Sequence, residues 1–292
     1  MFVIPNILCR FGTCHVVRIT KKSDGRHRPL PISRQQWWRV ESGHAALTDS
    51  TRLSKMDGGA AMNFIDRIDA GRRLAKKLEA YCGRKDLLVL GIPRGGVPVA
   101  FQVATELGAP LDVFVVRKLG VPGHEELAFG AIATGGVQVL DPEIVEEAGI
   151  SKQDIERIAA RERQELNRRE YVYRGGHRPL DLEGKTVILV DDGIATGAST
   201  MAAIAALREL KPVGIVLAAP VAPPSTCRRL RRKVDDLVCL DTPETFYAIG
   251  QFYEDFSQVS DEEVTSLLQL NIEQRAHEAS VVRGSIRKGV PQ

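Results

Sequence analysis

Aromatic side chains make up only 5% of this chain, and its two tryptophans are adjacent, Trp37 and Trp38. Cysteine is equally sparse. The five thiols (Cys9, Cys14, Cys82, Cys227 and Cys239) are odd in number and scattered, with no CxxC pair. That excludes a disulfide framework and fits reduced thiols, so a cytoplasmic chain is expected. Cys9, Cys14 and His15 lack a fourth partner at zinc-site spacing. No apolar run reaches transmembrane length, so no membrane partner is expected. Net charge is only +3, and it is uneven. Residues 1–61 hold ten Lys/Arg against four Asp/Glu, and the remainder holds thirty against thirty-three. The acidic body excludes a basic nucleic-acid-binding surface. No internal repeat is evident.

What the chain does have is concentrated in Val187–Thr200, VILVDDGIATGAST. Val187–Val190 is a short β-branched run, as expected of a strand buried on both faces of a parallel sheet. Asp191 and Asp192 sit where it ends. A small-residue loop, Gly193–Gly197, leads into a helical stretch, Ala198–Leu210. Ligands of open α/β sheets lie beyond the carboxyl ends of the strands. A glycine- and hydroxyl-rich loop opening a helix offers backbone N–H groups to a phosphate. The adjacent carboxylates would repel a phosphate and suit sugar hydroxyls or a bridging cation. Together these features describe a site for a ribose 5-phosphate.

This order of residues resembles the 5-phosphoribosyl-1-pyrophosphate (PRPP) signature of the type I phosphoribosyltransferases, over the whole of Val187–Thr200. The resemblance extends over about Asn63–Leu270. It implies a parallel sheet with helices on both faces, a small hood built from terminal segments and a flexible loop. It also implies attack of a nucleophile, usually nitrogen, on the anomeric carbon of PRPP, with inversion and loss of pyrophosphate. Mg²⁺ would be the cofactor, held by Asp191 and Asp192 directly or through water. The same two acids would hold ribose hydroxyls, and Ala195, Thr196, Gly197, Ala198, Ser199 and Thr200 would hold the 5-phosphate. A homodimer is the expected assembly.

Three segments surround the motif. Residues 1–61 show no sustained period and are expected to form a disordered leader, or one added by start-site choice, with Met62 as the natural start. Residues 62–270 form the domain, and 271–292 are read as a loose tail. Within the domain, Phe64, Ile65, Ile68, Leu74 and Leu78 recur at helical spacing, with Arg67, Arg72, Arg73, Lys76 and Lys77 outward. Leu87–Gly91 reads as a strand. It is followed by Ile92-Pro93-Arg94-Gly95-Gly96-Val97, where the resemblance places a pyrophosphate loop: Arg94 for charge, Gly95 and Gly96 for close backbone approach.

Leu111–Val116 reads as the next strand. Arg117 and Lys118 stand at its carboxyl end, and one of them is expected to meet pyrophosphate; Lys118 is the candidate. Leu119–Gly136 reads as a loop or hairpin with short strands near Phe129–Thr134 and Val137–Leu140, the place of the family's mobile lid. Helices are expected at Pro142–Ala148 and Ser151–Glu170. After the motif come a strand at Val213–Ala219, a basic helix at Pro223–Arg232, a strand at Asp236–Leu240 and a last helix at Asp261–Leu270. Phe246, Tyr247, Phe252, Tyr253 and Phe256 form either a hydrophobic cover over the sheet or a stacking surface for an aromatic acceptor.

Family members that act on 6-oxopurines carry an acid three residues after the second motif acid. Ala195 stands there, and the local pattern looks closer to the adenine-type motif. A general acid or base must therefore come from elsewhere. Glu125, Glu126 and His124 on the lid are the candidates, with Glu125 and Glu126 taken as catalytic. The expected function is transfer of ribose 5-phosphate from PRPP to a nucleobase-like or other nitrogenous acceptor. The rival is a non-catalytic sensor of PRPP or a nucleotide on the same fold. A receiver-like protein, suggested by paired acids at a strand end, does not fit the Thr-Gly-Ala-Ser-Thr loop.

Overall fold

The computed structural model describes residues 63–175 and 180–288. The leader 1–61 and the expected start at Met62 lie outside the described residues.

Five strands build the central sheet. In chain order they are β1 (Leu87–Gly91), β2 (Leu111–Val113), β6 (Thr186–Val190), β7 (Gly214–Val221) and β8 (Asp236–Asp241). β1, β6 and β7 are buried in its middle, and β8 is a partly exposed edge. All pair in parallel, in the spatial order β2-β1-β6-β7-β8. Alternate residues feed opposite cores, as a pleated strand requires. Leu87, Val89, Ile188 and Val190 face one side, against Leu74 of α1 (Arg67–Lys77) and Val97 and Val103 of α2 (Gly96–Leu107). Leu88, Leu90, Val187 and Leu189 face the other, against Met201 and Ile204 of α5 (Ala198–Glu209) and Leu230 of α6 (Pro224–Arg231). The sheet with helices on both faces matches the expected class.

Three expectations change in detail. The strand read at Leu111–Val116 breaks after Val113. Phe114 N still donates to Gly91 O at 3.0 Å, but Val115 is pinned at both backbone groups by Thr134, whose N donates to Val115 O at 2.9 Å and whose Oγ1 accepts from Val115 N at 3.0 Å. The apolar run is thus a corner, and the chain leaves for a second sheet.

That sheet gives the loop-or-hairpin segment its hairpin form, with longer strands than expected. β3 (Val116–Val121), β4 (His124–Ala133) and β5 (Val137–Leu140) are antiparallel neighbours in that order. Leu119, Phe129 and Ile132 are buried, so the body of the hairpin is fixed to the core. Its tip, from Pro122 to Glu125, is exposed. Between the sheets run α3 (Pro142–Glu147) and α4 (Lys152–Arg174), the latter capped by Ser151 Oγ, which accepts from Asp154 N at 3.1 Å.

The third change concerns the tail. The last helix, α7, runs from Asp261 to Lys288 instead of ending at Leu270. Asn271 explains why the chain stays docked. It is buried, its Oδ1 accepts from Leu111 N at 3.0 Å, and its Nδ2 donates to Ala109 O at 3.3 Å. A polar residue that reads as the start of a tail is a bracket on the entrance to β2. Asn271→Leu should leave that N–H and C=O buried without partners, at about 1–3 kcal/mol each. Urea unfolding should show a clear fall in midpoint, whereas replacing the exposed neighbour Ile272 by Ser should change stability by no more than about 0.5 kcal/mol.

Candidate functional site

Between β2 and β6 the chain jumps from one side of β1 to the other. The loops after β1 and β6 therefore leave neighbouring strands at the point where strand order reverses. Ile92 N donates to Val190 O at 2.9 Å, and the two loops run on side by side. Their closeness depends on missing side chains. A Cβ at Gly95 would collide with Asp192 Oδ2 and lie 2.6 Å from its Cγ. A Cβ at Gly96 would lie 2.7 Å from Val190 O and 2.9 Å from Asp191 Cα. The glycines read from the sequence as a pyrophosphate loop thus rest against the motif acids.

Asp191 is half-buried and Asp192 is buried. Asp192 N donates to Asp191 Oδ1 at 3.0 Å. Burial, and then the charge of Asp192, hold the Asp191 carboxyl well above the usual range. Asp192 is raised too, chiefly by burial, although the Arg67 guanidinium pulls it down. Arg67 Nε donates to Asp192 Oδ2 at 2.8 Å and Arg67 Nη1 to Ser257 O at 2.8 Å. The same guanidinium lies 4.0 Å from the ring centre of Phe256. Tyr253 completes the support, its hydroxyl donating to Asp192 O at 2.5 Å.

This is where the sequence reading misplaced a residue. Arg67 does not point outward with Arg72; its side chain is only 11% exposed and belongs to the site. Helical periodicity puts Arg67 near the edge of the apolar face but says nothing of an acid 125 positions away.

The motif loop is held from behind. Thr226 Oγ1 donates to Ala195 O at 2.9 Å, and Arg229 Nη2 donates to Thr196 O. Both donors lie on α6, the basic helix expected at Pro223–Arg232. Gly197, at φ +73°, ends the loop and caps α5 without a side chain. The first turn of α5 thus has no capping side chain at Gly197, and Ala198 N makes only a long bond to Thr196 Oγ1, at 3.4 Å, that an anion can displace. Thr196 and Ser199 are exposed beside it, and Ala198 is half-buried. Thr200 is buried, so its hydroxyl is turned from solvent, unlike the other two.

The remaining candidates are spread more widely. Arg94 is exposed, with Nη1 3.9 Å from Asp261 Oδ1 at the start of α7. Asp261 also accepts from Tyr173 OH at 2.7 Å, so it is a fixed counter-charge for the loop arginine. Arg117 is committed elsewhere, its Nη2 lying 2.6 Å from Glu162 Oε2. Lys118 is exposed within β3, beyond the corner and not at the end of a central strand. His124 and Glu125 are exposed at the hairpin tip; Glu126 follows in β4, its side chain outside the described part.

The aromatic group divides between its two readings. Phe252 and Tyr253 are buried with Phe64 and Val221 as a cover. This hood joins both ends of the domain, since Phe64 N donates to Phe252 O and Glu254 N to Phe64 O, each at 2.8 Å. Tyr247 and Phe256 remain exposed.

A divalent cation fits the donor set in part. Carboxylate oxygens are hard ligands, and a cation would relieve the mutual repulsion of Asp191 and Asp192. Among the described residues no group of three or more His, Cys, Asp or Glu could hold a metal alone, so its other ligands would come from substrate and water.

Without such a cation the diacid is a burden on stability. A carboxyl whose folded value lies above the unfolded one keeps a proton in the folded state that the unfolded chain has released. Stability then declines as pH rises from the ordinary carboxylate range through the raised values. Asp191→Asn should remove part of that decline and raise the neutral-pH melting temperature, by about 2–4 °C per kcal/mol gained. Gly95→Ala should do the reverse, costing about 1–3 kcal/mol through overpacking against Asp192. Thermal melts across pH check both, and a lower melting temperature for Asp191→Asn would contradict the assignment of strain to the diacid.

Comparison with known proteins places this geometry. The family described as phosphoribosyl transferase domain matches residues 65–257. A Mycobacterium tuberculosis protein (strain H37Rv) that carries a provisional phosphoribosyl transferase name is 45% identical over 223 residues, which is 76% of this chain and 49% of that protein. The counterpart from M. tuberculosis strain CDC 1551 matches equally. The chain thus spans about half the length of these relatives. Among solved structures, TT1426 from Thermus thermophilus is 43% identical, with a TM-score of 0.64 over 71% of this chain and 98% of that one.

Proposed function

The chain belongs to the phosphoribosyl transferase family, and from that premise we propose that it transfers ribose 5-phosphate from PRPP to a nitrogenous, nucleobase-like acceptor. The observation that carries this reading is the contact of two loops: Gly95 and Gly96 lie against Asp192 and Asp191 so closely that neither position has room for a methyl group. A loop suited to pyrophosphate and a diacid suited to ribose hydroxyls thereby line one cleft, with a helix N-terminus beside them for the 5-phosphate.

Each part has a distinct task in this proposal. The first turn of α5, with Thr196 and Ser199, binds the 5-phosphate through N–H and O–H donors. Asp191 and Asp192 accept hydrogen bonds from the ribose hydroxyls, and their negative charge stabilises the positive charge that grows on the sugar as pyrophosphate departs. The backbone at Arg94–Gly96 and the Arg94 guanidinium receive the pyrophosphate oxygens. Bound Mg²⁺, with Asp191 and Asp192 as its protein ligands directly or through water, would neutralise pyrophosphate charge. Arg67 balances Asp192 in the free protein, and ribose hydroxyls replace part of that balance on binding.

For the acceptor, the exposed Phe256 lies one guanidinium away from Asp192, since Arg67 touches both. That favours a planar ring stacked on the hood. Ala195 can neither donate to a 6-oxopurine nor take its proton, so hypoxanthine and guanine should be poor acceptors. Glu125, at the exposed hairpin tip, is the candidate acid or base when the tip folds over the cleft, with Glu126 or His124 beside it in sequence.

PRPP titration by calorimetry, with and without Mg²⁺, tests the binding half. Binding should strengthen with Mg²⁺ and collapse in the Asp191→Asn, Asp192→Asn double variant. Ser199→Ala should cost about 1.5–3 kcal/mol as one bond to a charged group is lost. Thr200→Ala should act through packing and shift stability more than affinity. Unchanged titrations in all variants would remove the site.

Pyrophosphate release over a panel of nucleobases tests the chemistry. Turnover should be absent without PRPP and weak with hypoxanthine or guanine, and Glu125→Gln should lower turnover more than PRPP affinity. Tight PRPP binding with no acceptor turned over would favour the sensor reading.

A further inference from the structure

A second reactive centre lies away from the diacid. Cys227 on α6 and Cys239 on β8 line one open cavity of about 330 Å³, together with Lys77 and Arg231. Cys227 is buried and Cys239 half-buried. Both face that cavity, and the neighbouring Cys239, with Arg231 and Arg228 nearby, pulls the Cys227 thiol below its usual value. Cys239 is pushed the other way, first by Cys227 and then by burial. Its Sγ donates to Asp241 O at 3.1 Å. Cys227 is thus the more readily ionised thiol of the pair, in a cavity large enough to admit a small oxidant.

The position of this pair in the fold gives it reach. Thr226, whose hydroxyl donates to Ala195 O, adjoins Cys227, and Arg229, which donates to Thr196 O, follows on the same helix. Any movement of α6 against β8 is therefore passed to the loop that opens α5. Two unbonded sulfurs stand well beyond the roughly 2 Å of an S–S bond, so forming one must draw α6 and β8 together.

We propose that Cys227 and Cys239 form a reversible disulfide on exposure to hydrogen peroxide, and that the bond loosens the Ala195–Thr200 loop by shifting α6. In the first step the Cys227 thiolate sulfur attacks one peroxide oxygen. The O–O bond breaks, and hydroxide leaves with a proton to become water. The resulting sulfenic acid is then attacked by the Cys239 sulfur, which gives up its proton as the S–O bond breaks and a second water leaves. Two thiols lose two electrons in all, and peroxide takes both.

The experiment uses the full chain and does not depend on which substrate the loop holds. Reduced protein is treated with hydrogen peroxide, its free thiols are blocked, and the digest is mapped by mass spectrometry. Amide hydrogen exchange across Ala195–Thr200 is followed on the same samples. The expected product is a Cys227–Cys239 linked peptide that dithiothreitol resolves, with loss of exchange protection in the loop. The exposed Cys82 should stay accessible to the blocking reagent. Cys239→Ser should abolish both the cross-link and the change in exchange, and Cys227→Ser should do the same if it folds. A disulfide to another cysteine, stepwise oxidation of Cys227 without cross-linking, or a Cys227–Cys239 bond that leaves loop exchange unchanged would each overturn the proposal.

Discussion

Two carboxylates at the end of one buried strand must share space with the backbone of a neighbouring loop, and nearly everything around the cleft follows from that crowding. Asp191 and Asp192 repel each other and are both taken from water, which raises both carboxyls. Arg67 offsets the cost at Asp192, and Ser257 and Phe256 hold Arg67 in turn. Tyr253 fixes the Asp192 carbonyl from the hood. The hood is thus more than a lid on apolar surface: it carries both the counter-charge and the backbone anchor of the diacid. A ligand that satisfied the carboxylates would replace those internal contacts with its own, which links binding at the floor to order in the hood.

The parts legible in the sequence are those governed by local rules. β6 and its loop announce themselves by a β-branched run, two acids and a glycine-rich helix entry, all within fourteen residues. β1 and its pair of glycines follow the same logic. The parts that stayed hidden are those where distant segments decide. Arg67 looks like one more surface arginine until the 253–257 segment folds over it. Val113–Val116 looks like continuous strand because every residue is apolar, yet Thr134 takes both backbone groups of Val115 and turns the chain aside. Asn271 has the composition of a tail and the contacts of a core residue.

Between these extremes lie residues whose type is plain in the sequence but whose surroundings are not. Lys118 is exposed on β3, in the second sheet. Thr200 belongs to the motif by pattern, yet its side chain faces the core while Thr196 and Ser199 face outward. The arginines of α6 resemble solvent-facing charge, and Arg229 nevertheless reaches back to a loop carbonyl. In each case the residue type was informative and its direction was set by helix phase or a distant partner, which periodicity alone does not supply.

The absence of room beside Gly95 and Gly96 also bears on how such a chain can change over generations. A single added carbon at either position meets Asp192, Asp191 or the Val190 carbonyl, so the floor of the cleft is closed to almost any substitution. Parts of the hood are under no such restriction: Ile65 and Tyr247 are exposed and can be exchanged without disturbing the strands beneath, whereas Phe256 is tied to Arg67. Diversification of what this architecture accepts therefore has its open route through exposed hood positions, while the floor leaves little room for change.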